Sequence, residues 1–309
     1  MKSNTTLETF EEAGISALVR AGEAKQWFFG HFGASIIAGA RLLANPVLPG
    51  SAALALNQKL SDFQSRYNDW FSPIDELGES TATLEPILTL LRKSAGTLRV
   101  SGHPTIYMSS ALHVLSRRPE LVTSRVVEAL AQLYEASRQD DPARHYGYSD
   151  YFAEIDREFG ERSPSDHPIL DSTGAYRAAF EAMDHLSMDQ EIEGRHYFLT
   201  GEKVHLVTHA HAIATFEQLG YADIATAASR AQQSLLHLTR ASETVEASVV
   251  APTLASPLDP GFWEQETKDP AHVVKLAEAV LAGLPRLADA ERDLALGRLG
   301  RMWPHLGIH

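Results

Sequence analysis

The sequence predicts an all-α fold: a single large multi-helix domain over residues 1–309, with two long irregular insertions and little or no sheet. Three observations predict it. Apolar residues recur at spacings of three and four along most of the chain, the spacing that lines one face of a helix. The periodic segments open on capping residues or Pro and close on Gly or Pro. Strand-like alternation is almost absent. A chain of 309 residues with 44% hydrophobic content is long and apolar enough to bury a core of its own.

Taken in order, the polar start Met1-Lys2-Ser3-Asn4-Thr5-Thr6-Leu7-Glu8 has no apolar stretch behind its lysine, so no secretory signal and a cytoplasmic location are expected. The apolar run from Ala34 to Ala40 is interrupted well short of the roughly 20 residues that span a bilayer, and no membrane partner is expected. Leu84, Ile87, Leu88 and Leu91 mark a helix after Ser80-Thr81. Thr97-Leu98-Arg99-Val100 is the best strand candidate, or a connector. Val122, Val126, Leu130 and Leu133 follow Pro119-Glu120, and Val273, Leu276, Val280 and Leu284 follow Lys268-Asp269-Pro270. Between the helical blocks lie two irregular stretches. Residues 139–165 carry Tyr146, Tyr148, Tyr151 and Phe152 and read as a lid; residues 248–269 contain Pro252, Pro257, Pro260 and Gly261.

Composition removes several classes of function. The formal charge of −13, with no clustered Lys and Arg, argues against nucleic acid as a partner. The absence of cysteine excludes disulfides, thiolate nucleophiles, and Cys-held zinc or iron–sulfur centres, so any metal must be held by nitrogen and oxygen. No two glycines are separated by a single residue, so the dinucleotide fingerprint G-x-G-x-x-G cannot occur. The P-loop, H-E-x-x-H and G-x-S-x-G patterns are missing as well.

The fourteen histidines then carry the chemical argument. Val204-His205-Leu206-Val207-Thr208-His209-Ala210-His211 puts three of them in one apolar segment, where a helix would aim His205 and His209 from one face. His31 lies among aromatic and small residues in Phe28-Phe29-Gly30-His31-Phe32-Gly33-Ala34, and His103 opens a predicted helix in Ser101-Gly102-His103-Pro104, where the helix dipole keeps a ring neutral and able to ligate. Neutral imidazoles from separate helices form a normal metal site in a helical protein, so His31, His103, His205, His209 and His211 are the metal-ligand candidates. The choice between His209 and His211 is open. His113, His185, His237 and His272 read as surface or boundary residues; His145, His167, His305 and His309 are also set aside. Two E-x-x-H pairs, Glu193 with His196 and Glu202 with His205, are too close in sequence to supply facing helices of a di-iron bundle. Lys203 is a candidate for carboxylation to an oxygen ligand.

Gly30-His31-Phe32-Gly33-Ala34 running into Arg41-Leu42-Leu43, then Gly102-His103-Pro104-Thr105-Ile106-Tyr107, then Val204-His205-Leu206-Val207-Thr208 with His211-Ala212, resembles the questin oxidase-like family over roughly residues 25 to 225. The chain departs from that pattern at Gly30, where relatives carry Asn, and at Tyr107, where they carry a second histidine. The resemblance implies an oxygenase that cleaves or oxidises a ring of an anthraquinone-like polycyclic aromatic in natural-product assembly. It implies O2 as co-substrate and Fe(II) held by histidines, with His205 and Tyr107 as catalytic candidates. NADPH stays open as an electron donor, without a fingerprint. Trp27, Phe28, Phe29, Phe32 and Trp70 are candidates for the substrate wall. The competing readings are a metal-free enzyme using histidines as general bases on a phenol, and a non-catalytic helical binding protein.

Overall fold

The computed structural model describes residues 4–74, 82–139, 150, 152–153, 169–188, 190–197, 199–240, 245–267 and 269–309. Thirteen α-helices account for most of them: α1 Asn4–Glu23, α2 Gly30–Ala44, α3 Gly50–Arg66, α4 Asn68–Phe71, α5 Glu85–Ser94, α6 His103–Leu115, α7 Ser124–Gln139, α8 Ser172–Glu181, α9 Leu199–Gln218, α10 Ala222–Arg240, α11 Pro260–Glu264, α12 Pro270–Gly283 and α13 Asp289–Met302. The only sheet among the described residues is a two-stranded antiparallel hairpin, β1 Gln190–Ile192 and β2 Arg195–Tyr197. The all-α expectation therefore holds.

Several boundaries follow the expected punctuation. Asp269 caps α12 by accepting from the His272 backbone N–H, with Pro270 at the first helical position. Asp171 caps α8 through Gly174 N–H at 2.8 Å. Other boundaries shift. Pro119–Leu121 forms a single 3₁₀ turn, and α7 begins only at Ser124. The helix expected after Ser80-Thr81 starts at Glu85, with Pro86 in its first turn; Ser80 and Thr81 lie outside the described residues. Thr97–Val100 is a connector into a 3₁₀ turn at Val100–Gly102 and not a strand, because no partner strand lies beside it.

Four helices enclose the centre. α2, α6, α9 and α12 pack in a closed circuit, each against the next and α12 back onto α2. They read as apolar nearly all round, the mark of helices buried on every side: in α2 only Arg41 and Ala44 are not fully buried. The window Trp27–Ala44 has the length and apolarity of a membrane-crossing segment, and 72% of it is buried inside this structure. α1 lies along α2 at close range, with Gly14 and Gly33 at the crossing. A Cβ on Gly33 would lie 2.5 Å from the Gly14 carbonyl oxygen, so only hydrogen fits there. The buried hydrophobic side chains form one contiguous cluster running from Phe10 to Ile308. Of the lid expected at 139–165, most residues, including Tyr146, Tyr148 and Tyr151, lie outside the described residues; Phe152 packs against the core under the Arg99 guanidinium. The described residues of 248–269 form no helix or strand apart from α11, with a turn at Pro257-Leu258.

Candidate metal centre

Each of the four central helices contributes one histidine to a single point: His31 from α2, His103 from α6, His205 from α9 and His272 from α12. One ring nitrogen from each lies within 4.8 Å of the other three. That spread is close to the ~4.2 Å separating opposite nitrogens on one ion at an ordinary 2.1 Å bond length. His31, His103 and His205 are buried, and the His272 side chain is 14% exposed.

The local sequence explains the convergence. His31, His103 and His272 all sit in the first turn of their helices, so three helix N-termini point at the site. Their dipoles disfavour protonated imidazole and favour an anion there. Before α6 the backbone takes a run of left-handed residues, Val100 (φ 44°), Ser101 (φ 58°) and Gly102 (φ 87°). A β-branched residue in that region is strained by about 1–3 kcal/mol. The turn brings the Val100 carbonyl onto His103 Nδ1, which donates to it. Gly30 has its own requirement: a Cβ there would meet the Tyr107 ring at 2.6 Å.

The outer partners fix how the rings are presented. His272 Nδ1 donates to Asp269 Oδ2 at 2.5 Å, His103 Nδ1 donates to Val100, and His205 Nδ1 faces Glu202 Oε2 at 3.4 Å. Each arrangement leaves an Nε2 lone pair directed inward, as in carboxylate–histidine–metal sites. His205 Nε2 and His272 Nε2 stand 3.0 Å apart, the spacing of neighbouring ligands on one ion. His103 Nε2 and the Tyr107 hydroxyl are buried without a partner, and buried polar atoms of that kind call for an ion or water. The fourth ring, His31, has Lys275 Nζ against its Nδ1.

Electrostatics match the geometry. Burial, helped by Lys275 and by the neighbouring rings, pushes His31 well below the ordinary histidine range; burial and His205 do the same for His103. Burial first, then Lys275, takes His272 down to about 4 against the opposing pull of Asp269. Burial lowers Lys275 to about 7, so its amine is partly deprotonated at neutral pH, and a divalent cation beside it would favour the neutral form. Although burial opposes it, the His272 contact holds Asp269 well below the usual carboxylate range. His31, His103 and His272 are thus neutral nitrogen donors, with an ionised carboxylate behind His272. Imidazole-rich sets of this kind suit Zn, Cu, Fe and Ni.

The remaining predicted residues fall elsewhere. His209 and His211 do not join the group, because four and six residues beyond His205 α9 has turned and climbed away from it. His209 Nδ1 donates to Gln232 Oε1 at 2.8 Å, and His211 Nδ1 pairs with the Tyr176 hydroxyl at 2.8 Å. Lys203 points to the His185 carbonyl and not to the cluster. Tyr107 lies beside the centre, its ring 5.6 Å from those of both His31 and His103. Trp27 and Phe28 face the histidine rings, at 5.0 Å from His103 and 5.1 Å from His31, and Phe28 is 54% exposed. Phe29 stacks instead on Trp70 at 4.2 Å, both partly buried against the core, and Phe32 is a core residue packed among Phe63, Tyr67 and Phe71.

His272, set aside as a boundary residue in the sequence, is the fourth member. Its signal was Asp269-Pro270-Ala271-His272: an N-cap aspartate lies three residues before the ring it can hold. Comparison with protein-family models, with curated proteins and with solved structures finds no match.

Proposed function

We propose that this chain is a metal-dependent oxygenase whose centre, His31, His103, His205 and His272, holds Fe(II) and acts with O2 on a phenolic polycyclic aromatic of the anthraquinone type. The carrying observation is the inward Nε2 pair of His205 and His272, 3.0 Å apart, with the outer nitrogens engaged by Glu202 and Asp269. Two lone pairs facing each other at that distance repel unless a cation or proton lies between them.

Bound iron would supply O2 activation and one-electron chemistry. The chain's own residues do the rest. The four imidazoles would hold the ion, and the three converging helix N-termini favour a phenolate over a neutral phenol. Trp27 and Phe28 offer aromatic surface at the outer edge of the cluster, where Phe28 meets solvent. The unpartnered Tyr107 hydroxyl is a proton donor beside His31 and His103. Burial, with Asp269 adding to it, raises that phenol well above its ordinary range, so it stays protonated at neutral pH. The motif resemblance to questin oxidase-like proteins supports the same substrate class.

The test is O2 uptake by Fe(II)-loaded protein with a panel of hydroxyanthraquinones, with products identified by mass. Substrate-dependent O2 consumption and an oxygenated or ring-opened product are expected, lost in Tyr107→Phe or reduced there with iron retained. Stoichiometric iron with no O2-dependent turnover of any phenol would reject the oxygenase reading.

A further inference from the structure

His211, unused by the metal centre, belongs to a second buried network drawn from four helices. His211 Nδ1 is 2.8 Å from the Tyr176 hydroxyl. His211 Nε2 lies 2.8 Å from Glu278 Oε1, a short but bent contact. Arg41 Nε closes the line at 3.0 Å from the same oxygen and also donates to Thr215 Oγ1 at 3.3 Å. Tyr176 is 0% exposed, and the His211 and Glu278 side chains are each 9% exposed.

The order of charges sets the protons. Burial opposes ionisation of Glu278, but Arg41 and then His211 hold it below the usual carboxylate range, so it is a carboxylate and accepts only. His211 is held neutral by burial, with Glu278 pulling the other way. Its single proton therefore sits on Nε2 toward Glu278, and its Nδ1 lone pair accepts from Tyr176. Arg286 and Glu217 are the further charges acting on Tyr176, and His113 faces His211 and Arg41.

A buried phenol cannot shed a proton to water. Tyr176 has instead an adjacent neutral base whose protonated form a carboxylate would stabilise, the arrangement that lets a hydroxyl lose its proton within a dry interior. A well-packed apolar set would have filled the same space without desolvating three ionisable groups. The two centres also share their helices. His205 and His211 are both on α9 and His272 and Glu278 both on α12, each pair six residues or about 9 Å of helical rise apart.

We propose that Tyr176 is a redox-active tyrosine, giving one electron to the oxidised four-histidine metal centre while its phenolic proton moves to His211 Nδ1. The O–H bond of Tyr176 breaks and an N–H bond forms, leaving a neutral tyrosyl radical and an imidazolium against Glu278. The acceptor would be a metal held by His31, His103, His205 and His272 and oxidised by one electron to O2, which leaves as superoxide. One electron from a substrate phenolate, which becomes a phenoxyl radical, and the proton held on His211 would restore the Tyr176 phenol. The electron acceptor rests on the oxygenase reading; the oxidisability of Tyr176 does not.

Two arms keep these apart. In the first, the full chain without added metal is oxidised by photogenerated tris(bipyridyl)ruthenium(III) and frozen for electron paramagnetic resonance. A long-lived tyrosyl signal is expected, lost in Tyr176→Phe. It should also be lost in His211→Gln, which keeps a hydrogen-bond acceptor for the phenol but cannot take its proton, with the melting curve preserved. A signal unchanged in either variant, or no long-lived signal in the parent chain, overturns the assignment whatever iron does. In the second arm, Fe(II)-loaded protein is mixed with O2. The same signal is expected, and its absence with iron retained and oxidised overturns the coupling to the metal.

Discussion

His205 and His211 stand on one helix, equally buried, and serve different ends. Around His205 the neighbours are other imidazoles: its Nε2 stands 3.0 Å from that of His272, and His103 Nε2 is buried without a partner. Around His211 the neighbours are a phenol, a carboxylate and a guanidinium, so that a cation already faces the anion within the network. Burial is common to both and so distinguishes nothing. What differs is the kind of partner: the four-histidine cluster gathers ring nitrogens that could hold a metal ion, whereas the His211 network sets one ring between a phenol and a carboxylate.

The largest effects should separate the two regions. Replacing His272 by Ala is expected to abolish iron retention after desalting, whereas His209→Ala and His211→Ala should keep it; metal analysis of the three proteins checks this. The second effect is on stability and belongs to the His211 network. Glu278→Ala leaves the partly buried Arg41 without its carboxylate and should cost up to about 3 kcal/mol in urea unfolding, with iron binding retained. Third, Asp269→Asn removes the acceptor that holds His272 and should weaken iron binding roughly 10–100-fold, read by competition with a chelator.

A fourth prediction concerns pH and rings outside the metal centre. Burial takes His209 down to about 4 and His113 to about 2. Between those values and the ordinary 6.5, the unfolded chain binds protons that the folded chain refuses, so stability rises with pH there and falls on acidification. Each such ring contributes about 1.4 kcal/mol per pH unit while only its unfolded form is protonated. Urea unfolding at a series of pH values should show a shallower slope in His209→Asn than in the parent. The smallest effect is expected at the surface: Asp184→Asn removes the Arg298 and Arg301 pairs, with the Asp184 side chain 59% exposed, and should cost less than about 1 kcal/mol.

Much of this was legible in the sequence. Helical periodicity is a local property, and the apolar spacing of 84–91, 122–133 and 273–284 marks real helices. His31, His103 and His205 stand out because small residues, a Pro or an apolar run flank each of them. His272 was missed because its neighbourhood, Pro270-Ala271-His272-Val273-Val274, looks like any helix start; what makes it a site residue is that α12 packs across from α9, a tertiary fact. His209 and His211 lie outside the four-histidine group for the converse reason. His209, one turn on, is carried about 6 Å further along the axis to Gln232, and His211, about 1.7 turns on, points round the helix to Tyr176. Tyr176 and Glu278 gave no sequence signal, since neither lies near His211 in the chain.

The central claim is that four helices supply one histidine each to a single ion. Anaerobic loading with Fe(II), desalting and metal analysis of the parent chain beside His31→Ala, His103→Ala, His205→Ala and His272→Ala tests it directly. Near-stoichiometric iron in the parent and its loss in each of the four variants, with folded far-ultraviolet circular dichroism throughout, is the predicted result. Iron absent from the parent, or retained in His272→Ala as in the parent, would contradict it.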